Sequence, residues 1–573
     1  MNHNDDPEEF KSFLKGKEEI FKEKRERFES LFLKKQWKDE GLPNPFKIVR
    51  EFIIEKGLKL YGGLALHEHL NKFDAGIYED YKFPDYDVFS PDAWHHAKEL
   101  ADKLYSIGFH FTEAKASILN DEHHQTYKVG VDMLYILDLT QVGCTSKQLK
   151  LKDCDKCGIN KEGECISIFN KIPSLDLLTY NPKEKGFKER IIYESYDYDN
   201  NKSIFKNKLL ITSPLWLKIS MYRELTEPFS DPDRLVKVAT RLNTFITHFK
   251  HDHGTCNPKD YKKEVEETLI PVLNYIAEYI KKYKLINYGA STYNLLVKNY
   301  KPKKDNLGAL NVSDYQVYSK NGEYHVAKLL KQLKAKFPKF KFNTQEKIMY
   351  WKEIDTDSFT IHVSNNNKAN PIQYKDIITF SNYDMCIPYM TYDGVRYVTV
   401  DRMKYILYRA TALKDVMAIT EENPKNYECM LSFLLRAEKN YRRKHKKLDS
   451  GKFRRFTDTC DMDKEFSLIV SKIVINLTNL WSEKIETLKN TDFILDYPKP
   501  GYITKISPLP SEDLKLPYRP FESKYKKFKK PVKTLLGTTK FIKTKKKSEY
   551  KPVSVLTKRK NNYSSKRGIF NFV

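Results

Sequence analysis

Two acidic residues, Asp85 and Asp87, are separated by one residue in the segment Phe83-Pro-Asp-Tyr-Asp-Val-Phe-Ser90. On a strand, residues two apart project from the same face, so both carboxylates would point the same way. Such a pair is costly unless cations lie between the carboxylates. Two Mg²⁺ or Mn²⁺ ions could activate an attacking hydroxyl and neutralise a leaving pyrophosphate. A solvated strand face is the alternative, but Val88 and Phe89 indicate a partly buried strand.

A third carboxylate for this site is expected from a neighbouring strand. Asp138 lies in the β-prone run Tyr135-Ile-Leu-Asp-Leu-Thr140, where a buried acid needs a functional reason. Asp132, in Val129-Gly-Val-Asp-Met133, is the competing candidate. We prefer Asp138, which with one metal ion would lower the pKa of the attacking hydroxyl while Asp85 and Asp87 bridge both ions.

A glycine pair, Gly62-Gly63, closes the short apolar segment that runs from Leu58 to Tyr61 and opens a segment with helical patterning. Glycines at such a turn let backbone amides approach phosphate oxygens at a helix N-terminus, which favours anions. The alternative is a purely steric need for glycine, which is common in strand-to-helix turns.

Helical spacings of three, four and seven residues connect a largely basic set: Lys218, Tyr222, Arg234, Lys237 and Arg241. One helix face could therefore offer cations to a triphosphate. A solvated basic face explains the same pattern, and the sequence does not separate the two.

Four cysteines lie within 22 residues and include one Cys-x-x-Cys pair: Cys144, Cys154, Cys157 and Cys165. Tetrahedral zinc is one hypothesis, although a zinc site usually has two paired motifs. Free thiols or a surface disulfide are the alternatives. Eight cysteines in a long chain without a leading apolar stretch indicate a reducing, intracellular setting, where thiols are usually free or metal-bound.

The elements around these residues alternate between strand-like and helix-like patterns from about residue 46 to 140. The segment Ser90-Pro91-Asp92 is expected to cap a helix with proline at its first position. Residues 8–40 are heavily charged, and the apolar residues among them are spaced as on one helix. Residues 214–283 and 401–495 are expected to be mainly helical. The second of these ranges includes a buried core helix from Phe466 to Trp481, which is too short to span a membrane.

The chain of 573 residues carries a formal charge of +25, which indicates a polyanionic partner. Most of this charge lies between Lys524 and Arg567, where 17 Lys and Arg stand against one acid, Glu549. A segment of this composition, preceded by a proline-rich connector, is not expected to fold alone. It could hold RNA through phosphate contacts, or serve only for solubility or localisation.

An internal repeat links two parts of the chain. Tyr61-Gly-Gly-Leu-Ala is echoed by Tyr288-Gly-Ala-Ser-Thr, and Asp85-Tyr-Asp-Val-Phe-Ser90 by Asp314-Tyr-Gln-Val-Tyr-Ser319. Trp94-His-His-Ala-Lys-Glu-Leu100 resembles Tyr324-His-Val-Ala-Lys-Leu-Leu330, and Lys218-Ile-Ser-Met-Tyr-Arg223 resembles Lys404-Tyr-Ile-Leu-Tyr-Arg409. In the second copy Gln316 replaces an acid and Ala290 replaces the second glycine, so we expect that copy to be inactive.

These motifs and their order resemble the catalytic subunit of poly(A) polymerases from poxviruses and other large DNA viruses, over roughly residues 45–400. The resemblance rests on the Gly-Gly turn, the Asp-x-Asp strand, Asp138 and the run Lys218-Ile-Ser-Met-Tyr-Arg-Glu-Leu-Thr-Glu-Pro228. It implies a mixed α/β (α+β) fold: a polymerase-β-like nucleotidyltransferase domain, a second degenerate one, helical segments and a basic tail.

The resemblance also implies an activity, namely template-free addition of AMP from ATP to RNA 3′ ends in the cytoplasm, at the viral factory. By position, Asp85, Asp87 and Asp138 would hold Mg²⁺ or Mn²⁺, and Gly62 and Gly63 the phosphates. We divide the chain into a charged helix (1–45), a catalytic domain (46–185), a helical middle segment (186–283), an inactive domain (284–400), a helical part (401–495) and the connector with its tail (496–573).

Alternatives to this activity are another nucleotidyltransferase, such as a terminal uridylyltransferase or an oligoadenylate synthetase, and a non-catalytic RNA-binding scaffold. The retained acids of the first copy argue against the scaffold. Besides RNA, the partner could be a processivity subunit or a second copy of the chain. No membrane association is expected.

Overall fold

The structure is a computed structural model of the chain. It describes residues 7–79, 83, 85–109, 111–117, 125–132, 134–143, 158–159, 165–184, 188–226, 232–251, 266–298, 309–347, 357–365, 372, 375–383, 386–412, 425–445, 451–455, 459–460, 493–494 and 505–506. Residues 1–479 and 494–506 form one compact unit, which contains all the contacts discussed below. The predicted core helix from Phe466 to Trp481 and the basic tail lie outside the described residues.

Eleven α-helices occur among the described residues. They are α1 (Pro7–Asp39), α2 (Pro45–Glu55), α3 (Gly62–Asn71), α4 (Ala93–Ile107), α5 (Pro214–Glu224), α6 (Pro232–His248), α7 (Ile270–Lys282), α8 (Ala290–Val297), α9 (Gly322–Lys336), α10 (Val400–Ala412) and α11 (Lys425–His445). Within the described part of the chain, no helix is both long and apolar enough to cross a bilayer.

The strands of the first half are β1 (Lys59–Tyr61), β2 (Tyr86–Ser90), β3 (Thr112–Ala116), β4 (Thr126–Val131), β5 (Leu134–Gln141), β6 (Gly158–Ile159), β7 (Cys165–Ile166), β8 (Ser174–Asp176), β9 (Tyr196–Asp197), β10 (Lys202–Ser203) and β11 (Leu210–Thr212). Those of the second half are β12 (Ile286–Tyr288), β13 (Tyr315–Ser319), β14 (Lys341–Lys347), β15 (Ser358–Ser364), β16 (Lys375–Asn382), β17 (Tyr389–Tyr392), β18 (Val395–Val398), β19 (Phe493–Ile494) and β20 (Lys505–Ile506).

Two seven-stranded sheets share one topology. The first has the order β3-β4-β5-β2-β1-β11-β8 and the second β14-β15-β16-β13-β12-β18-β17. All six pairings agree in direction between the sheets, including the parallel pairs β2/β5 and β13/β16. The internal repeat is therefore a repeat of the fold. The first sheet extends to β11, beyond residue 185, where the sequence suggested the end of the catalytic domain.

The bounds of the strands and helices define which residues of the two copies are equivalent, and they do so more accurately than the sequence repeat. Strands β2 and β13 and helices α4 and α9 correspond at an offset of 229 residues. At this offset Leu100 matches Leu329 and Leu104 matches Leu333, and all four are fully buried. The sequence echo beginning at Trp94 and Tyr324 was therefore wrong by one residue, because aromatic and lysine matches outweighed the buried positions.

The structure corrects two of the predicted helix boundaries. Helix α4 begins at Ala93 after Asp92, so Pro91 lies before the helix and not at its first position. The basic set predicted on one helix lies on two, since α5 ends at Glu224 and α6 starts at Pro232. A proline at position 232 cannot continue a preceding helix without losing a hydrogen bond. The predicted helix at 8–40 is confirmed as α1.

Helices α5 and α10 pack against each other and join the two copies. Tyr222 on α5 stacks on Tyr408 on α10, with ring centroids 5.5 Å apart. Lys218 lies 5.7 Å from the ring of Tyr408, and Lys404 lies 5.3 Å from the ring of Tyr222. In the repeat, Lys218 matches Lys404 and Tyr222 matches Tyr408. The lysine of each copy therefore contacts the tyrosine of the other copy, and the contact is reciprocal.

A buried ionic network lies beside this contact and connects α10 to α11. Lys404 donates to Glu438 at 2.7 Å and to Asp401 at 3.1 Å. Arg442 also donates to Glu438, and Arg455 lies 3.5 Å from Asp401. Burial alone would raise the pKa of Glu438, but the charges and hydrogen bonds of Lys404 and Arg442 together outweigh it and lower this pKa to about 2.

Replacing Glu438 with Gln is expected to lower the free energy of unfolding by about 3 kcal/mol at pH 7, because buried cations lose their partner. The ionised carboxylate stabilises the fold above its unfolded pKa of 4.5, and this stabilisation is lost as the pH falls toward 2. The difference between the two proteins in urea unfolding should therefore narrow below pH 4.5. The exposed Glu278→Gln variant is the control, and an equal loss there would contradict the role of the network.

Candidate active site

Four residues form a row across the first sheet. Lys128 on β4 pairs in register with Asp138 on β5, Asp138 with Asp87 on β2, and Asp87 with Tyr61 on β1. Asp85 directly precedes β2; its side chain keeps contact with solvent, although the surrounding protein atoms partly desolvate its carboxylate. The sequence alone could not supply this register, which places the two candidate acids Asp87 and Asp138 on adjacent strands.

The glycine pair lies at the end of this row. Gly62 has a φ of 69°, and a Cβ there would lie 2.7 Å from Cγ of Asp87. The amide of Gly63 donates a hydrogen bond to Asp87, and a Cβ at Gly63 would collide with the phenolic oxygen of Tyr78. Glycine is thus required at both positions because a side chain lies too close for a Cβ: the carboxylate of Asp87 at Gly62 and the hydroxyl of Tyr78 at Gly63.

Burial raises the pKa of all three carboxylates, and repulsion between carboxylates adds to the shift at Asp85 and Asp87. Burial, and then the charge of Asp138, raise the pKa of Asp85 to about 6. Burial, Asp85 and Asp138 raise the pKa of Asp87 well above its usual value. Burial also raises the pKa of Asp138, although Lys128 opposes the shift. The raised pKa values mean that the ionised forms of these carboxylates are unfavourable without a nearby positive charge, so the site favours a bound cation.

These residues fit a divalent cation. Oδ1 of Asp138 is buried and accepts no hydrogen bond from any described residue, whereas Oδ2 forms an ion pair with Lys128. Carboxylate oxygens are the ligands that Mg²⁺ and Mn²⁺ prefer. Among the described residues, no three His, Cys, Asp or Glu side chains already enclose a common point, so Lys128 is the counter-charge of the row in this structure.

Helix α6 presents three cations to the site. Burial and the neighbouring charges of Arg241 and Arg234 lower the pKa of Lys237. The charges of Asp85 and Asp87 oppose this shift, which places Lys237 close enough to both acids to interact with them. Arg234 forms an ion pair with Glu224 and also lies within the field of Asp87.

Arg241 donates a hydrogen bond to the hydroxyl of Tyr78, at 3.2 Å, and lies over its ring, with 5.5 Å between the guanidinium carbon and the ring centroid. A Cβ at Gly63 would lie 3.2 Å from Nη1 of Arg241. The cationic face predicted from spacing therefore faces the glycine turn, but only through its α6 members.

The structure does not bring Lys218 and Tyr222 to this cationic face. Both are buried in the contact between α5 and α10 described above. Burial lowers the pKa of Lys218 to about 8, against the charge of Glu189. Their helical spacing reflects packing between the two copies.

The second copy has lost the whole charged row. Gln316 takes the position of Asp87, and Thr379 that of Asp138. Thr360 replaces Lys128 and exchanges a hydrogen bond with Thr379 at 3.0 Å. Gly289 keeps a φ of 70° over Gln316, with a hypothetical Cβ 3.0 Å from its Cδ. The turn glycine is thus kept for the backbone. Of the three acids, only Asp314, which matches Asp85, remains in the second copy.

Two residues of the site were missed by sequence reasoning, Lys128 and Tyr78. Lys128 becomes visible only through the antiparallel register of β4 with β5. Tyr78 is held by its backbone amide, which donates to Nδ1 of His67 at 3.1 Å. Asp132, the competing third acid, instead accepts a hydrogen bond from Trp37 at 2.7 Å and lies in a turn after β4.

The zinc hypothesis concerns residues outside the described range, apart from the backbone of Cys165 in β7. Elsewhere the structure joins Cys386 and Cys460 in a disulfide. The expectation of free or metal-bound thiols is therefore wrong for that pair, whose members are 74 residues apart and carry no sequence motif.

The sequence comparisons fall on the segment that carries this row. Residues 47–151 match the family model of the poly(A) polymerase catalytic subunit. The predicted resemblance is confirmed. A protein of African swine fever virus named for this subunit is 32% identical over 175 residues, which cover 27% of the chain and 35% of that protein. A mimivirus protein of the same name, from Acanthamoeba polyphaga mimivirus, is 30% identical over 96 residues, 16% of each chain.

The structural comparison extends further along the chain. The crystal structure of the Megavirus polyadenylate synthase matches with a TM-score of 0.56 at 19% identity, over 80% of each chain. The predicted mixed α/β fold, with a second copy of the same topology, is thus confirmed. The chain spans only about a third of the length of the first viral relative.

Proposed function

We propose that the chain is a poly(A) polymerase that adds AMP from ATP to RNA 3′ ends without a template. The observation that supports this most strongly is the row of Lys128, Asp138 and Asp87, which is present in the family-like copy and replaced throughout in the other. Loss of all its charges from the second copy is what release from catalysis would produce. The viral relatives carry the name of this activity.

The order of the strands gives the site two sides, one on each flank of Asp87. Asp87 lies between Asp138 on one side and the glycine turn on the other. We assign the RNA 3′-hydroxyl to the side of Asp138, whose Oδ1 has no hydrogen-bond donor among the described residues. We assign the triphosphate to the side of Gly63, where the α6 cations gather and the helix N-terminus favours anions.

Asp85, Asp87 and Asp138 would hold the divalent cations, which when bound supply Lewis acidity at the phosphate and the hydroxyl. The protein's own groups do the rest. Lys128 limits the repulsion within the row, and Tyr78 fixes the guanidinium of Arg241 beside Gly63. Arg234 and Lys237 would attract the triphosphate and balance its charge.

Incubation with a short labelled RNA, Mg²⁺ or Mn²⁺ and each nucleoside triphosphate in turn tests the proposal. We expect a ladder of products with ATP only. A ladder with UTP alone would replace the proposal by terminal uridylyl transfer. The absence of any product with all four nucleotides and both metals would leave a non-catalytic scaffold.

The setting of this activity is proposed from the same resemblance. We place it in the cytoplasm of an infected cell, at the viral factory. The name of the relatives, catalytic subunit, implies a partner subunit. A second copy of the chain is the other candidate, and sedimentation of the purified protein would separate the two.

A further inference from the structure

The helix α9 of the inactive copy is strongly basic, although its counterpart α4 is not. Helix α4 balances Lys98 and Lys103 with Glu99 and Asp102. Helix α9 carries four lysines against the single acid Glu323: Lys328, Lys331, Lys334 and Lys336. At the offset of 229 residues, Lys328 replaces Glu99 and Lys331 replaces Asp102. Two acids of the active copy have therefore become lysines at equivalent surface positions.

Tyrosine rings border these lysines. The ammonium of Lys328 lies 4.8 Å from the ring of Tyr283 and 5.0 Å from that of Tyr324, and it donates to the hydroxyl of Tyr324 at 2.6 Å. Tyr324 remains 49% exposed. A ring that is fixed by its hydroxyl and half-open to solvent is a suitable platform for a base.

The same arrangement continues along the neighbouring helix α7. Lys336 lies 4.3 Å from the ring of Tyr275, whose hydroxyl donates to Gln332 at 3.2 Å. Tyr275 lies on α7, and Tyr283 directly follows the last residue of this helix. The ammonium of Lys282 lies 5.8 Å from the ring of Tyr283. We define the α7–α9 surface as Tyr275, Lys282, Tyr283, Tyr324, Lys328, Lys331 and Lys336.

We propose that the α7–α9 surface of the inactive copy binds single-stranded RNA upstream of the 3′ end. This rests on the proposed function for its ligand. If the lysines of α9 served only for solubility, the acidic residues found on α4 would serve equally well, and no tyrosine rings would be needed beside them. Phosphates require the positive charge, and unpaired bases use the exposed ring faces. The inactive copy thus holds substrate while the first copy extends it.

The test compares two double variants with equal changes of charge. Lys328→Glu with Lys331→Asp restores the acids of α4, and Lys98→Glu with Lys103→Asp applies the same change to α4 itself. Binding of a labelled RNA of about 40 nucleotides and of one of about 8 is measured by fluorescence anisotropy over a range of salt, since single-strand sites are a few to about 16 nucleotides long.

We expect the α9 variant to bind the long RNA at least tenfold more weakly, with the slope of log affinity against log salt reduced by about 1.4 for two lost phosphate contacts. Affinity for the short RNA and its rate of extension should not change. Tyr324→Ala should weaken long-RNA binding about tenfold, and Tyr324→Phe much less.

Unchanged affinity of the α9 variant for long RNA would overturn the inference, as would an equal loss in the α4 variant. An equal loss of binding to duplex RNA would overturn the preference for single strands. If the wild type extends no RNA but its binding to the long RNA still depends on α9, the proposed function is wrong and the inferred RNA-binding surface is supported. If extension is normal and the α9 substitutions have no effect on binding, only the inferred surface is wrong.

Discussion

The Asp87→Asn variant is expected to extend RNA about 10³-fold more slowly than the wild type, which corresponds to roughly 4 kcal/mol of transition-state stabilisation. Asp87 is the central carboxylate of the row, between Asp138 and the glycine turn. The asparagine keeps the shape and the capacity to accept from Gly63 but removes the negative charge. Initial rates with ATP and a short RNA are the measurement.

The same change should not impair folding. Because burial and the repulsion from Asp85 and Asp138 raise the pKa of Asp87, loss of its charge should leave the melting temperature without metal unchanged or higher. Addition of Mg²⁺ should raise the melting temperature of the wild type and not that of the variant. Asp314→Asn in the second copy is the control; it lies at the position that matches Asp85, because Gln316 already stands at that of Asp87. Near-normal extension by Asp87→Asn would remove the central claim.

Replacing Gly63 with Ala should lower kcat/KM for ATP about 10²-fold and affect stability little. The added Cβ would collide with the hydroxyl of Tyr78 and displace Arg241, which that hydroxyl holds. Displacement of a positioning group by about 1 Å can cost this much in rate. Steady-state kinetics with varied ATP, together with thermal unfolding, would separate the two effects.

The chain supplies its own control for this change. The second copy has alanine at the equivalent position, so Ala290→Gly should not alter RNA extension. Combining Gly63→Ala with Tyr78→Phe removes the collision, and the double variant should be no worse than Tyr78→Phe alone. Additive losses in the double variant would mean that Gly63 acts by another route.

The sequence predicted those parts of the site that depend on local spacing. Asp85 and Asp87 were recognisable because one residue separates them, and Gly62 because a strand ends and a helix begins there. Asp138 was preferred over Asp132 for its aliphatic neighbours, and the structure places it on the strand beside Asp87. The roles of these residues stay predictions until the variants are measured.

Other parts depend on contacts between distant segments, which no local pattern encodes. Lys128 joins the row through strand pairing, and Tyr78 reaches Gly63 through a loop. Helical spacing placed Lys218 among the phosphate ligands, although that spacing serves the α5–α10 contact. The disulfide between Cys386 and Cys460 closes a span of 74 residues, for which spacing carries no signal.

The reciprocal contact between α5 and α10 has a consequence for the origin of the chain. Residue i of one copy meets residue j of the other, and j meets i, as in an interface between identical subunits related by a two-fold axis. An ancestral homodimer with one domain per subunit would have placed Lys218 and Lys404, then the same residue, in this arrangement. Duplication of its gene, followed by fusion of the two copies, would have kept the interface inside one polypeptide and allowed one half to lose two of its three acids.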